Sequence, residues 1–180
     1  LIKMNSLQNR IIRAAMLDVN LYEEVEADKK TMVQAMTVVA LSSVAAGVGF
    51  VEQGGLNGIL SGTIASLFGW YVWAYLTYFI GTKFLPEPQT KADHGELLRT
   101  IGFSSSPGLI RVLGIIPGLR EMVFITASIW MLVAMVIAVR QALDYTSTLR
   151  AIGVCIIGWV TQIIIFTLLL SIFGNGQVPS

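Results

Sequence analysis

The sequence has little of what soluble enzymes use for chemistry. Charged residues make up 13% of its 180 residues, whereas soluble domains carry about 25%. Its single cysteine, Cys155, excludes a disulfide within the chain. Its single histidine, His94, excludes haem ligation by paired histidines and a zinc site that needs several of them. Hydrophobic residues make up 54% of the chain and the mean hydropathy is +0.72, values typical of membrane proteins.

The residues that several catalytic mechanisms require are also missing from the sequence. A serine nucleophile needs an adjacent base, but His94 falls in a polar connector, away from the serine run Ser104–Ser106, where we expect it to be solvated. No glycine-rich phosphate loop ending in Gly-Lys-Ser or Gly-Lys-Thr is present. The net charge of +1 provides no basic footprint for nucleic acid. We therefore expect no enzyme activity, no cofactor, no metal site and no nucleic-acid partner.

Long apolar runs are what the chain has instead. About 20 apolar residues in a helix cross the hydrocarbon core of a bilayer. We predict an all-α, polytopic membrane bundle over residues 31–174, followed by a flexible tail at 175–180. Five spans are predicted, at residues 31–50, 58–84, 97–118, 122–139 and 151–173.

The third predicted span, residues 97–118, is the ambiguous one. It contains Ser104–Ser106, Pro107 and Arg111, and an arginine at the bilayer centre costs about 2.5–3.5 kcal/mol on the insertion scale. The serines can return hydrogen bonds to carbonyls freed near the proline, and Pro117 with the following glycine favours a turn. We predict a short crossing helix kinked at Pro107; the alternative is a re-entrant or surface segment.

The placement of lysine and arginine predicts the orientation. Basic residues concentrate in cytoplasmic loops, and counting them puts the N-terminus in the cytoplasm with either four or five spans. Five spans place the C-terminus on the opposite side, which is our expectation. The charge count does not separate the two topologies.

Residues 1–30 form an N-terminal arm with helical periodicity. Met4, Leu7 and Ile11 recur at three- to four-residue spacing, which predicts an amphipathic helix before a charged stretch. Two placements fit equally: in the cytoplasmic headgroup region, or packed on a partner or on the protein's own loops. Acids and bases balance in the arm, so a polybasic lipid-binding patch is not predicted.

Polar residues suggest two candidate sites. An intramembrane polar cluster would form if the third and fifth spans brought together Arg111, Ser104, Ser105, Ser106 and Gln162. A cytoplasmic docking loop for a partner would use Arg140, Asp144, Tyr145 and Arg150. The simpler interpretation of this loop is that its arginines snorkel and that Asp144 caps the next helix.

The second span carries a ridge of small residues. Gly58, Gly62 and Ser66 repeat at four-residue spacing, which lets helix backbones approach closely. We expect this ridge to pack within the bundle, in preference to forming a dimer.

The sequence resembles the bacterial branch of the Yip family (Ypt-interacting-protein domain). The resemblance lies in GWYVWAYLTYFIGTKFLP (69–86), RTIGFSSSPGLIRVLGIIPGL (99–119) and AVRQALDYTSTLRAIGV (138–154). It implies a five-helix membrane domain with a cytoplasmic N-terminus. Eukaryotic relatives bind small GTPases through a longer cytosolic N-terminal region, which this sequence lacks, so GTPase binding is not expected here.

Function is predicted only in outline. The first hypothesis is a non-catalytic membrane scaffold or accessory protein that contacts lipids and other integral membrane proteins. In its narrower form it is a peripheral subunit of a respiratory or photosynthetic complex. The alternative is a small transporter or lipid-handling protein with a polar pocket around Arg111.

Overall fold

The computed structural model describes residues 7–49 and 51–174, whose regular structure is helical throughout. The predicted all-α class is therefore confirmed, while the predicted tail at 175–180 lies outside the described residues. The described helices are α1 (Leu7–Ala15), α2 (Val19–Ala27), α3 (Met32–Gly49), α4 (Val51–Phe79), α5 (His94–Phe103), α6 (Arg120–Ala142) and α7 (Thr148–Gly174). A π-helical turn, Ile80–Phe84, follows α4, and a 3₁₀ segment, Ser106–Ile115, follows α5.

Four helices of the described chain are long and apolar enough to cross a membrane. They are Lys29–Gly49, Gly55–Phe84, Arg120–Ala142 and Thr148–Ile165, and they correspond to the first, second, fourth and fifth predicted spans. The second begins at a break in α4, where Gly55 has φ 56° and ψ −163°. Only glycine adopts that conformation without strain.

The third predicted span differs from the expected kinked helix. A capping box between Asp93 and Glu96 starts α5, but this helix ends at Phe103 after 10 residues. Pro107 lies in the first turn of the separate 3₁₀ segment, where its missing N–H removes no helical hydrogen bond. A helix kinked at Pro107, and with it a fifth long helix, is thus not confirmed, because the chain turns before the proline instead of bending at it.

Residues 102–114 nevertheless follow α3 along much of its length. A Cβ built on Gly102 would lie 2.7 Å from the Cβ of Ala35, and one on Gly114 would lie 3.4 Å from the Cα of Gly49. Between them, Gly108 is pressed against Ser42. The segment therefore runs in the same direction as α3 and in contact with it, and glycine makes the approach close enough.

The N-terminal arm folds as a helical hairpin of α1 and α2 on the side of the bundle. Leu21, Tyr22 and Val25 are fully buried in a core cluster that includes Phe103 of α5 and Ala138 of α6. Of the two predicted placements, the described arm adopts packing on the protein itself. Its outer face still exposes apolar side chains, among them Ile12 and Met16.

Arg10 is the buried charge that ties this hairpin together. Its side chain is 3% exposed and donates to Glu24 at 2.9 Å, to Gln34 at 2.9 Å and to Asp28 at 3.3 Å. A buried guanidinium is stable only when its donors are satisfied in this way. Arg10 thereby links α1 to α2 and to the start of α3.

Replacing Arg10 with Ala should destabilise the protein by about 3 kcal/mol, because the acidic partners lose their cation in a partly desolvated site. Thermal or denaturant unfolding in detergent measures the loss. Arg13 is the matched control on the same helix: it also pairs with Glu24, at 2.6 Å, but its side chain is 21% exposed. Arg13→Ala should cost only about 1 kcal/mol, and an equal loss for both variants would contradict the role given to Arg10.

Candidate functional site

A cavity of about 580 Å³ lies among α3, α4, α5, α6 and α7. That volume is within the range of about 300–1,000 Å³ usual for small-molecule sites. Three tryptophans line it, Trp70 and Trp73 from α4 and Trp159 from α7. Leu132 and Ile156 are more than half exposed at its edge, so the cavity opens sideways between α6 and α7.

Polar side chains interrupt the apolar lining. The hydroxyl of Ser66 donates to Ser43 at 3.0 Å, which joins α4 to α3. Ser105 and Gln162 also line the cavity. Within the described residues, neither of these two side chains has a hydrogen-bond partner, so two of the predicted cluster residues meet at one cavity.

The other serines of the predicted cluster face elsewhere. Ser104 donates to the carbonyl of Ile101 at 2.7 Å and so closes the end of α5. The buried hydroxyl of Ser106 has no partner among the described residues. Neither serine is among the residues that line the cavity.

Arg111 lies apart from the cavity, against α6. Its guanidinium donates to the hydroxyl of Ser128 at 3.0 Å and lies 5.5 Å from the ring centroid of Phe124. The described structure therefore divides the predicted cluster: Ser105 and Gln162 share the cavity, while Arg111 contacts a hydroxyl and an aromatic face.

The opposite end of the bundle is held by a carboxylate that sequence reasoning missed. Glu87 accepts from the backbone N–H of Thr146 at 3.0 Å and from its hydroxyl at 2.7 Å, and from the N–H of Ser147 at 3.3 Å. These bonds, led by the Thr146 hydroxyl, lower the pKa of Glu87 to about 2. The carboxylate caps the start of α7 from another loop. The only local signal was an acid between two prolines.

Residues of the predicted docking loop already form hydrogen bonds with the protein itself. The Tyr145 hydroxyl is within 2.9 Å of the Gly81 carbonyl and 2.7 Å of the Leu85 carbonyl, at the π-helical end of α4. Burial raises the pKa of Tyr145 to about 12. Arg140 donates to the Tyr145 carbonyl at 3.2 Å, and Arg150 donates to the Pro86 carbonyl at 2.6 Å.

Asp144 and Arg150 are the exposed residues of the predicted docking set, and Asp144 has an unusual backbone. It has φ 53°, a left-handed conformation that aspartate tolerates better than most residues. Its carbonyl accepts from Gln89 at 3.1 Å. The interpretation of Asp144 as the cap of α7 is not what the described contacts show, because the carboxylate of Glu87 takes that place.

A polar cleft of about 440 Å³ adjoins this loop and contains Glu26. Partial burial, with the nearby carboxylates of Glu96 and Asp144, raises the pKa of Glu26 to about 7. Arg99 is 4% exposed and donates to the carbonyls of Val25 and Glu26, which completes the end of α2. The sequence could not reveal that the carboxylates of Glu26, Glu96 and Asp144 lie close together, since these residues are far apart along the chain.

His94 is not a free connector residue. It opens α5, and its ring lies 5.0 Å from Tyr71, 5.7 Å from Tyr75 and 6.3 Å from Tyr78, measured between centroids. The three tyrosines share one face of α4, so the contact is a packing of aromatic edges. Within the described residues, no three His, Cys, Asp or Glu side chains are placed to hold a metal ion.

One residue of the small-residue ridge contacts the bundle, and the other two face open space. Ser66 contacts α3 through Ser43, but a Cβ built on Gly58 or Gly62 would meet nothing within 4 Å. Both glycines are exposed. The expectation that the ridge packs inside the bundle is thus wrong for these two glycines, because they lie on a flank of α4 that the described chain leaves uncovered.

Comparison with known proteins gives one match. A family model described as the Yip1 domain matches residues 22–170, from α2 through most of α7. No curated protein and no solved structure matches the chain.

The pKa of Glu26 predicts a pH dependence of stability. A folded-state pKa of about 7, above the ordinary value of about 4.3, means that the folded protein holds the extra proton between these limits. Stability should therefore fall as pH rises through that window. Glu26→Gln should remove the effect and raise Tm at pH 8 by about 2–4 °C, the equivalent of about 1 kcal/mol for a partly buried group.

The measurement is thermal unfolding in detergent from pH 4 to pH 8. The Glu26→Asp variant serves as the control, because it keeps a carboxyl at this position and should keep the decline. Parallel curves for Glu26→Gln and the parent protein would contradict the assignment.

Proposed function

This chain belongs to the Yip1 domain family, and from that premise we propose that it is a non-catalytic membrane scaffold or accessory protein. Membership and the apolar helices make it a multi-pass membrane protein. The proposed role is to bind other integral membrane proteins through the sides of its helices.

The observation that carries this proposal is the uncovered flank of α4 at Gly58 and Gly62. Of the four long helices, α4 is the least buried. In its most apolar stretch of 18 residues 11% of the residues are buried, against 33% in the corresponding stretch of α3. A Cβ at either glycine would stand in open space. Gly58 and Gly62 therefore form a smooth strip, here called the docking strip, on a helix whose other exposed positions carry large side chains such as Leu60 and Ile64.

A transmembrane helix of a partner fits such a strip. In lipid, helices associate through close backbone packing and hydrogen bonds, not through the hydrophobic effect, and glycines spaced by four residues permit the approach. Lipid chains cover the strip when no partner is bound. The narrower hypothesis, a peripheral subunit of a respiratory or photosynthetic complex, names one kind of partner that could supply the helix.

The alternative hypothesis, transport or lipid handling around Arg111, has less support. The guanidinium of Arg111 donates to Ser128 and lies against the Phe124 ring. It does not line the cavity among the helices.

We also propose five crossings, with the third made by α5 and the 3₁₀ segment. Support comes from the path of the chain. Residues 85–93 lie beside the loop before α7, since Glu87 bonds Thr146, whereas Gly114 lies beside Gly49 at the other end of α3. A 3₁₀ segment, with poorer hydrogen bonds than an α-helix, is tolerated at this depth where protein covers it, and Pro107 and Gly108 are buried.

The charge distribution supports a cytoplasmic N-terminus, and we propose a bacterial inner membrane as the location. The described bases at the end of the bundle that holds α2 and the α6–α7 loop are Arg10, Arg13, Lys29, Lys30, Lys83, Lys91, Arg99, Arg140 and Arg150. At the other end lies Arg120. This asymmetry is the positive-inside pattern.

Labelling with a membrane-impermeant maleimide tests the five crossings. In a Cys155→Ser background, Leu119→Cys and Leu149→Cys introduce single thiols at exposed positions on either side of α6. In sealed, right-side-out vesicles or intact cells, we expect labelling of Leu119→Cys only. Labelling of Leu149→Cys alone would mean that residues 97–118 return to the side from which they came.

Gly62→Leu tests the docking strip. A Cβ at Gly62 meets no atom of the described chain within 4 Å, so folding and Tm should be retained. Co-purification from native membranes should fall about tenfold, the equivalent of about 1.4 kcal/mol of helix packing. Quantitative mass spectrometry of the solubilised complexes gives the measurement and identifies the partner.

Ile64→Phe is the matched control, because it adds bulk at an exposed position on the same helix but outside the glycine strip. It should leave co-purification unchanged. Purification of the parent protein as a monomer with no associated protein would overturn the scaffold proposal.

A further inference from the structure

The cavity among α3 to α7 has features that packing alone does not require. Its volume is about 580 Å³, within the range of about 300–1,000 Å³ that is usual for small-molecule sites. Its edge is formed by exposed apolar side chains, including Leu132, Ile156 and Trp159. A molecule dissolved in the bilayer could therefore enter sideways without crossing a polar surface.

The cavity also presents polar groups with unused hydrogen-bonding capacity. Ser43 accepts from Ser66, and within the described residues its own hydroxyl proton has no acceptor. The side chains of Ser105 and Gln162 likewise have no partner there. Gln162 lies about 21 Å along α7 from Thr148, within the apolar span that begins there. In hydrocarbon, such groups are costly unless something bonds them.

The remaining lining defines the shape and charge of a ligand. Trp70, Trp73 and Trp159 offer aromatic faces and edges, which pack well on planar, unsaturated rings. The indole N–H of Trp73 has no acceptor among the described residues. No charged side chain of the described chain lines the cavity, so a phosphate or ammonium headgroup would find no counter-ion.

We propose that this cavity binds a neutral, membrane-soluble molecule with a planar ring and carbonyl or hydroxyl oxygens, the chemical class of the lipid-soluble quinones. The ring packs against the tryptophans, and its oxygens accept from Gln162 and the serine hydroxyls. The inference does not rest on the scaffold proposal, because the docking strip at Gly58 and Gly62 is not part of the cavity.

Tryptophan fluorescence tests the proposal. The full chain is reconstituted in phosphatidylcholine nanodiscs and titrated with decylubiquinone, a quinone that quenches indole emission. Trp130, the fourth tryptophan, lies outside the cavity and donates to the Ala15 carbonyl at 2.8 Å. In Trp130→Phe, which retains the three cavity tryptophans, we expect quenching that saturates with the quinone content of the bilayer. Quenching that rises without saturation would overturn the proposal.

Two variants locate the binding. Gln162→Leu removes one neutral hydrogen bond and should weaken binding about fivefold. Gly69→Leu should abolish saturable quenching, because Gly69 lines the cavity and a Cβ there meets nothing within 4 Å, which leaves room for a larger side chain to enter the space. Gly62→Leu, the same substitution two turns earlier on α4, should bind as the parent does. Equal binding by all three variants would overturn the assignment.

An ordinary lipid chain is the competing occupant. Phosphatidylcholine brominated in mid-chain reports it in the same assay. Because both occupants quench, displacement of lipid by decylubiquinone appears as a smaller fractional loss of emission in brominated than in unbrominated nanodiscs, and the proposal requires this difference in the parent and not in Gly69→Leu. The same fractional loss in both kinds of nanodisc for the parent would mean that the quinone displaces no lipid and that only lipid occupies the cavity.

Discussion

At bilayer depth, a 3₁₀ segment, whose hydrogen bonds are poorer than those of an α-helix, is constrained to lie where protein covers it. Residues 104–115 impose that constraint here, and much of the bundle follows from it. The 3₁₀ segment packs between α3 and α6, with Gly108 against Ser42 and Gly114 against Phe124 and Gly49. The small residues of α3 have this use: they let an irregular segment approach closely enough to be shielded from lipid.

A second set of interactions closes the opposite end. Glu87 caps α7, Tyr145 bonds the carbonyls left at the end of α4, and Arg99 bonds the carbonyls at the end of α2. Each side chain comes from a different loop or helix than the backbone it satisfies. The loops at this end therefore hold the helices in register. This explains why several residues of the predicted docking loop form hydrogen bonds within the protein.

Hydropathy and helix length were enough to locate four of the helices that can cross a membrane, because these signals are local. The interruption at Pro107 was visible too, but not its form, since a helix that stops before a proline and one that bends at it have the same composition. Partners such as Glu26 with Glu96, or Glu87 with Thr146, lie too far apart for periodicity to connect them. The exposure of Gly58 depends on which flank of α4 the neighbours cover.

The cavity could be anticipated only in part, from Ser105 and Gln162 as polar groups inside apolar segments. Its three tryptophans come from two helices whose mutual rotation no local pattern fixes. Arg111 illustrates the same limit: its charge was evident, while its contact with Ser128 depends on how α6 lies beside the 3₁₀ segment.

The docking of the α1–α2 hairpin has a consequence for biogenesis. Ala15 bonds Trp130, and Glu23 bonds Gln141, across 115 and 118 residues of chain. The hairpin therefore cannot reach its final place until α6 has been synthesised and inserted.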